Sequence, residues 1–419
     1  MNSYFASVEQ QANPFLRDRA VGVCAYLHPK GCVIAASVEA KAMGMKVGMN
    51  VEEASKIVPE AVFVENDPAK YRFVTKKIFA LLHELSDTIE HYSIDEAFID
   101  LTGWCRDEAE AAFLASHVKY RLTHEVGDWL RCSVGIAPTR FLAKFASERK
   151  KPDGLTIITR ENLDGHLTGA DLQEACGIGP RTARKLNRLG IHSLLELKRY
   201  PIANLMRVFG KNGFYLWCKV NGMECERVAG GTAPPKSIGH SYRVPNRVNR
   251  DGLVVPVLTK LTERAGRRLR ETGLLAGALA VTVGIRGTDE YRGHVFRFPE
   301  PVEDSFALTR AAVQVLETLW RGEAVNFLAV TLTDFAPPSG QLRLGIYGLS
   351  IDVFRKGAIG ADRFAMQDRR EGAVSRSMDA IRDRYGDRAL VLGRMFSLLR
   401  RDEAPDRIGY RKTVQTFET

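Results

Sequence analysis

The sequence predicts a multidomain chain that mixes α/β and α+β organisation. Three observations predict it. Strand-like and helix-like stretches alternate over residues 1–159. Short helices with Gly-rich turns and little strand signal fill residues 160–232. The order β-α-β-β-α-β then runs over residues 236–335, the ferredoxin-like signature. A chain of 419 residues, 45% of them hydrophobic, has material for several cores. Its length suggests about two to four domains.

In chain order, Met1–Phe5 reads as a short strand and Ala6–Gln11 as the start of a helix. The apolar runs Ala20–Leu27 and Cys32–Ala36 flank the turn His28-Pro29-Lys30-Gly31. Val38–Met43 and Val51–Ile57 are short helices between Gly-containing turns. In Tyr71–Ser86, the residues Phe73, Ile78, Leu81, Leu82 and Leu85 fall at near-helical spacing. Ile89–Leu101 reads as two strands around a tight centre. Asp107–Val126 is an amphipathic helix, Arg131–Ala137 a strand, Thr139–Glu148 a helix and Leu155–Ile158 a strand. Gly230-Gly231-Thr232-Ala233-Pro234-Pro235 is the clearest linker. Beyond it come the strand Lys236–Val244, the helix Val257–Thr272 and the strands Ala278–Ile285 and His294–Phe298. The helix Phe306–Trp320 and the strand Phe327–Phe335 complete the unit. After Pro337-Pro338-Ser339-Gly340 a charged tail follows, with a helix at Ser375–Tyr385 and no assignable core.

Composition narrows the function classes. No segment offers the roughly 20 uninterrupted apolar residues of a membrane helix, and no signal pattern opens the chain. The seven cysteines form no CxxC pair and are odd in number, against a zinc site or a disulfide framework. A reducing, cytoplasmic setting fits. The formal net charge of +10 is a modest argument for a polyanionic partner.

The most informative segment is Ser93-Ile94-Asp95-Glu96-Ala97-Phe98-Ile99-Asp100. Neighbours on a regular strand point to opposite faces. A turn or bulge at Ile94–Asp95 lets both carboxylates approach one point. Two close carboxylates repel unless a cation lies between them. Mg²⁺ accepts one or two carboxylates plus phosphate oxygens, the arrangement of two-metal phosphoryl-transfer sites.

The context of this pair is specific. Met1-Asn2-Ser3-Tyr4-Phe5-Ala6-Ser7-Val8-Glu9 resembles the first motif of Y-family translesion DNA polymerases, and Ser93–Asp100 their second acidic motif. Val38-Glu39-Ala40-Lys41 stands where the family has its finger motif. Gly135-Ile136-Ala137 with Phe141-Leu142-Ala143-Lys144 resembles the next block, and Lys150-Lys151-Pro152-Asp153-Gly154 the one after.

The resemblance implies a right-hand polymerase: a palm at 1–5 and 67–159, small fingers at 6–66, a helical thumb at 160–232 and a little finger at 236–335, with a tail at 336–419. It implies template-directed transfer of a dNTP to a primer 3′-OH, used past damaged bases in DNA repair and the SOS response. Two Mg²⁺ ions would be held by Asp95, Glu96 and the Met1 main-chain carbonyl. Phe5 matches the steric gate that excludes a ribose 2′-OH, and Tyr4 stands beside it. Lys41 and Lys151 match positions that hold the triphosphate. The short residues Ala35, Ala36 and Ser37 fit a loose site that tolerates damaged templates. The sequence departs from the family at Val38, where an aromatic is usual, and at Lys41, where arginine is common. In the family a metal-binding acid stands immediately before the position of Met1; the expectation is that it lies upstream. The second acid of that motif is Asn2 here.

DNA contacts are expected in three places. Cys176-Gly177-Ile178-Gly179-Pro180-Arg181-Thr182 opens a basic helix and resembles a helix-hairpin-helix, in which Gly177 and Gly179 aim backbone N–H groups at a phosphate. Arg181, Arg184 and Lys185 reinforce that loop. In the little finger, Lys236, Ser237 and Ser241 resemble the family's first strand, and Arg264, Arg267, Arg268 and Arg270 line its first helix. Gln341-Leu342-Arg343-Leu344 resembles a sliding-clamp peptide, with Gln341, Leu342 and Leu344 as the contacts. The implied partners are primer-template DNA, a dNTP and a clamp, with a monomeric chain and no membrane. Two rival readings are a catalytically impaired DNA-binding accessory and a nucleotide cyclase; the hairpin-helix and little finger oppose the second.

Overall fold

A computed structural model describes residues 1–230, 234–244, 248–249, 252–338, 361–386 and 389–399. The chain forms two compact units that divide between residues 232 and 233.

In the first unit, helix α1 (Tyr4–Ala12) leads into the strands β1 (Val21–Cys24) and β2 (Val33–Ala36), which pair antiparallel. The helices α2 (Val38–Ala42) and α3 (Val51–Ile57) follow, each N-capped by a polar side chain, Ser37 and Asn50. Strand β3 (Val62–Glu65), which the sequence pattern does not announce, pairs parallel to β1. Ala20, Cys24, Val33, Ala36, Ala40, Met45, Ala54 and Val58 give this region a small core of its own.

The helix α4 (Pro68–His83) carries Asp67 as its N-cap. Strands β4 (Ile89–Ser93) and β5 (Glu96–Ile99) form an antiparallel hairpin with Ser93 opposite Glu96. Helix α5 (Glu108–Arg121), strand β6 (Val134–Ile136), helix α6 (Arg140–Arg149) and strand β7 (Leu155–Ile157) complete the alternation, with β6 and β7 parallel. A cavity of about 860 Å³, lined by Leu81, Leu82, Ala115, Val118, Phe98 and Val134 among others, lies between these elements.

The expected strand at Met1–Phe5 is not formed. Asn2 N–H makes one strand-like bond to the Arg131 carbonyl at 2.9 Å, and Ser3 then turns the chain at φ 46°. Helix wins from Tyr4 because residues four apart on a helix share a face. Tyr4 and Val8 enter one core with Tyr71, Ile78 and Ile94. The boundary drawn between residues 5 and 6 therefore falls inside α1.

Short helices follow: α7 (Leu163–Leu167), α8 (Pro180–Asn187), α9 (Leu194–Arg199), α10 (Ile202–Phe209) and α11 (Lys211–Val220). Their core includes Leu163, Ile178, Leu186, Leu194 and Leu205, and takes Phe141, Leu142 and Phe145 from α6. One face of α6 thus anchors the helical region while another remains for the site.

The second unit contains β8 (Ile238–Arg243), α12 (Val254–Glu271), β9 (Leu275–Ile285), β10 (Tyr291–Val302), α13 (Ser305–Leu319) and β11 (Val325–Ala336). The expected β-α-β-β-α-β order is present. Its sheet order is β10-β9-β11-β8, antiparallel at every pairing. Each helix therefore joins two parallel strands with a third between them, a pair of interlocked split β-α-β crossovers. The tail, to which the sequence assigns no core, supplies part of this one. Met395 and Leu398 are buried in the same cluster as Leu258 of α12 and Leu308 of α13. Helix α14 (Ala361–Tyr385) packs through its C-terminal part, where Ser375 donates to Asp304 at 2.9 Å. Among the described residues, no helix is long and apolar enough to cross a membrane.

Candidate active site and nucleic-acid interface

Ile94 and Asp95 are the two residues of the β4–β5 turn. Ile94 is buried and its carbonyl accepts from Thr75 Oγ1 of α4 at 2.8 Å, which fixes the turn to the core. Ser93 Oγ donates to Asp95 Oδ1 at 2.9 Å. Asp95 and Glu96 consequently face one cleft instead of opposite sides of a strand, as expected from the sequence.

That cleft has a volume of about 490 Å³. Its walls bring together Met1, Phe5, Lys41, Asp95, Glu96 and Lys151, which are scattered over residues 1–151. Val38 and Ala35 close one side, so no aromatic stands at the finger position. The Met1 ammonium donates to the Asp95 carbonyl at 2.7 Å and lies 3.9 Å from Asp95 Oδ2. Phe5 stacks on Tyr71 with ring centroids 4.5 Å apart, which locks the ring at the cleft wall. Lys41 Nζ donates to Ser3 Oγ at 3.0 Å. Burial first, and then the Lys151 charge, push the Lys41 ammonium below its ordinary pKa.

Two residues of the first motif take other roles. Tyr4 borders the cleft, but its hydroxyl is taken inside the core, donating to the Tyr71 carbonyl at 2.9 Å and lying 2.8 Å from Thr75 Oγ1. Its hydroxyl is therefore held by the core, while the residue keeps its place on the cleft wall. Asn2 is buried; its amide donates to Ser133 Oγ at 3.0 Å and accepts from Asp153 N–H at 3.0 Å. It pins the 150–154 loop, and with it Lys151, to β6.

Two residues that sequence reasoning did not assign to the site belong beside it, Lys144 and Glu148. Lys144 donates to Glu96 and, at 2.9 Å, to Glu148. Burial opposes the Lys144 charge, but those two bonds outweigh it and hold the pKa above its ordinary value. Lys151 also donates to Glu148, at 2.7 Å. The signal available in the sequence was the i,i+4 pair Lys144–Glu148 on a helix whose other face is apolar.

The chain is similar to known proteins over most of its length. Residues 1–148 match the impB/mucB/samB family and residues 235–344 match the C-terminal domain of that family. The chain belongs to the impB/mucB/samB family of Y-family DNA polymerases. It is 32% identical over 397 residues to DNA polymerase IV of Moorella thermoacetica, covering 93% of each chain. It is 31% identical to DNA polymerase IV of Pelotomaculum thermopropionicum, covering 93% of this chain and 92% of that one. Among solved structures, a Y-family DNA polymerase chimera of Dbh and Dpo4 superposes with TM-score 0.69 at 25% identity, covering 80% of this chain and 98% of the chimera. The insertion ternary complex of Dbh DNA polymerase gives TM-score 0.56, with the same identity and coverage. This chain is accordingly a DNA-directed DNA polymerase.

The expected DNA contacts of this polymerase fare differently. Gly177 holds φ 95°, a conformation that glycine adopts without strain. Gly179 is the N-cap of α8 with Pro180 at its first turn, so the N–H groups there are free of side-chain caps. Arg181, Arg184 and Lys185 are exposed, and among the described residues no ion pair engages them. In the second unit, Lys236 and Ser237 are exposed just before β8. Ser241 lies on β8 opposite Ala329, on the face away from buried Ile238 and Val244. Arg267 does not join them. It projects from α12, on the other side of the sheet, and pairs with Asp383 of α14. Arg270 is bidentate to Asp379, at 2.6 and 3.1 Å. The α12 arginines expected at DNA are at least partly a packing seam. Gln341, Leu342 and Leu344 lie outside the described residues.

Proposed function

We propose that this polymerase performs template-directed nucleotidyl transfer in the cleft around Asp95 and Glu96, and that it does so past damaged template bases. The observation that carries the reading is the convergence of Phe5, Lys41, Lys151, Asp95 and Glu96 on one cleft. An incoming dNTP lies with its sugar over the Phe5 ring and its triphosphate toward Lys41 and Lys151. The primer 3′-oxygen attacks the α-phosphorus, the bond to the β,γ-pyrophosphate breaks, and the hydroxyl proton passes to solvent water. Lys41 and Lys151 balance the charge of the departing pyrophosphate. The low ammonium pKa at Lys41 fits a site that gains from a polyanion. Phe5, held by Tyr71, leaves no room beneath the sugar C2′ for a hydroxyl. The resemblance assigns the helical region as thumb and the second unit as little finger, gripping primer-template DNA through phosphates and a clamp through residues 341–344. It also implies a monomer.

The donor set fits a hard dication. Two carboxylates, completed by phosphate oxygens and water, are what Mg²⁺ accepts. Among the described residues, no third carboxylate, imidazole or thiolate completes a metal-holding group with them. The pair by itself therefore suits one ion, and a second would draw on the Met1 carbonyl and the nucleotide. Bound Mg²⁺ supplies Lewis-acid stabilisation of phosphate charge.

The test is primer extension on an intact template and on one carrying an abasic site, with dNTP and ribonucleotide supplied separately. Extension on both templates, with ribonucleotides admitted only by Phe5→Ala, supports the reading. Arrest at the abasic site removes the translesion part. Unchanged ribonucleotide exclusion in Phe5→Ala makes that ring an ordinary core residue.

A further inference from the structure

Glu148 is a carboxylate beside the cleft with no role in the scheme above. One of its oxygens, Oε1, accepts from two ammonium groups, Lys144 Nζ at 2.9 Å and Lys151 Nζ at 2.7 Å. Lys144 in turn reaches Glu96. The four side chains make an alternating row, Glu96, Lys144, Glu148, Lys151, that runs from the acidic turn to the 151 end of the cleft. The row follows from the fold. Phe141, Leu142 and Phe145 bury one face of α6. Lys144 and Glu148, four residues apart, then share the opposite face. Lys151 arrives on the loop that Asn2 pins through Asp153.

A plain pair of helix-end salt bridges is worth little. This row differs in where its members end. The Lys144 and Lys151 side chains are 18% and 36% exposed, and each lines a cavity that Asp95 and Glu96 also line. Burial opposes ionisation of Glu148, yet the bonds from Lys151 and Lys144 outweigh it and keep the carboxyl below its ordinary pKa. The charge is thus present when a nucleotide arrives. Without it, Lys144 keeps Glu96 as its sole carboxylate partner, and Lys151 loses the bond that orients it.

We propose that Glu148 is a positioning residue for nucleotide binding: its carboxylate, which also accepts from Lys144, holds Lys151 at the phosphate end of the cleft. This rests on reading the cleft as the nucleotide site.

The test uses the full chain with DNA whose primer ends in a 3′-dideoxynucleotide, so that binding is read without turnover. The dissociation constant for dNTP is measured for the parent, Glu148→Gln, Lys151→Ala and the double variant. Glu148→Gln is expected to weaken dNTP binding about five- to tenfold, with DNA affinity and Tm unchanged. In extension assays KM should rise by a similar factor while kcat changes less than about twofold. In the Lys151→Ala background, Glu148→Gln should add little, because its main target is gone. Glu148→Asp, which shortens the reach, should recover only part of the loss. The proposal is overturned if Glu148→Gln leaves dNTP binding unchanged while Lys151→Ala weakens it. It is also overturned if the two effects simply multiply, or if Tm and DNA affinity fall together with dNTP binding. If neither variant alters dNTP binding, the nucleotide reading of the cleft fails, and this proposal with it.

Discussion

Two charged regions of this polymerase have similar compositions and opposite fates. In the cleft and on α8, charges are left partly unmatched and face solvent-filled space. Arg181 and Lys185 stand exposed, and Asp95 and Glu96 stand side by side at a turn. In the seam between α12 and α14, charges are matched and shut in. Arg382 meets Glu263 with both side chains 3% exposed, Lys260 lies 3.4 Å from the same carboxylate, and Arg270 grips Asp379. The difference teaches that an arginine-rich helix is not by itself a nucleic-acid face. A charge buried against a fixed partner, as Arg382 is against Glu263, is withdrawn from any ligand.

The comparison can be broken or sharpened by experiment. The largest effect is expected at the acidic turn. Asp95→Ala or Glu96→Ala should lower primer extension at least a thousandfold, about 4 kcal/mol of barrier, with DNA binding retained. Extension above a mock preparation in either variant would remove these acids from the chemistry.

Next comes the seam. Glu263→Ala leaves the buried Arg382 and Lys260 charges short of their anion, and should cost about 3 kcal/mol of unfolding stability. Denaturant unfolding of the full chain is the measurement. A loss below about 0.5 kcal/mol would mean that the seam behaves as an exposed surface, and the contrast drawn above fails.

A third effect concerns the Met1 nitrogen, which lies 3.9 Å from Asp95 Oδ2 and, where it is a free ammonium, would oppose a dication there. An engineered extension that places apolar strand residues and then Asp directly before Met1 moves that charge away and adds a carboxylate. Mg²⁺-dependent extension should rise at least tenfold, about 1.4 kcal/mol, at equal folded concentration and DNA occupancy. Equal rates would show that the site needs no further acid.

The smallest effect separates the two basic helices. Arg181→Ala with Lys185→Ala should weaken DNA binding about tenfold and flatten its logarithmic salt dependence by roughly 0.9 for each phosphate that the pair neutralises. Arg267→Ala should leave that slope unchanged, because its partner is Asp383. A salt titration on two unrelated primer-templates reads both, and a slope change in Arg267→Ala would restore α12 to the DNA face.

Much of the site is legible in the sequence because its signals are local. The two-residue turn at Ile94–Asp95, the Gly177–Pro180 loop and the β-α-β-β-α-β order all follow from hydrophobic period and turn chemistry over a few residues. What the sequence misleads on depends on distant partners. Met1–Phe5 looks like a strand until Tyr71, Ile78 and Ile94 give Tyr4 and Val8 a common core. That the Tyr4 hydroxyl is taken by the Tyr71 carbonyl and Thr75 is likewise set by residues about seventy positions away. Strand β3 is only four residues long, and it gains its partner from β1, about forty residues earlier in the chain.

By itself the sequence determined most element types, the acids at the turn and the positive balance, since each is set by residue identity and near neighbours. Tertiary structure alone decided which charges remain open. It paired Arg267 with Asp383, closed Arg270 against Asp379 of α14, drew Met395 and Leu398 into the core of the second unit, and set Glu148 between Lys144 and Lys151. The physical reason is that neutralisation depends on distances of a few ångströms between residues far apart in the chain. Periodicity reports the face on which a side chain lies, and not what meets it there.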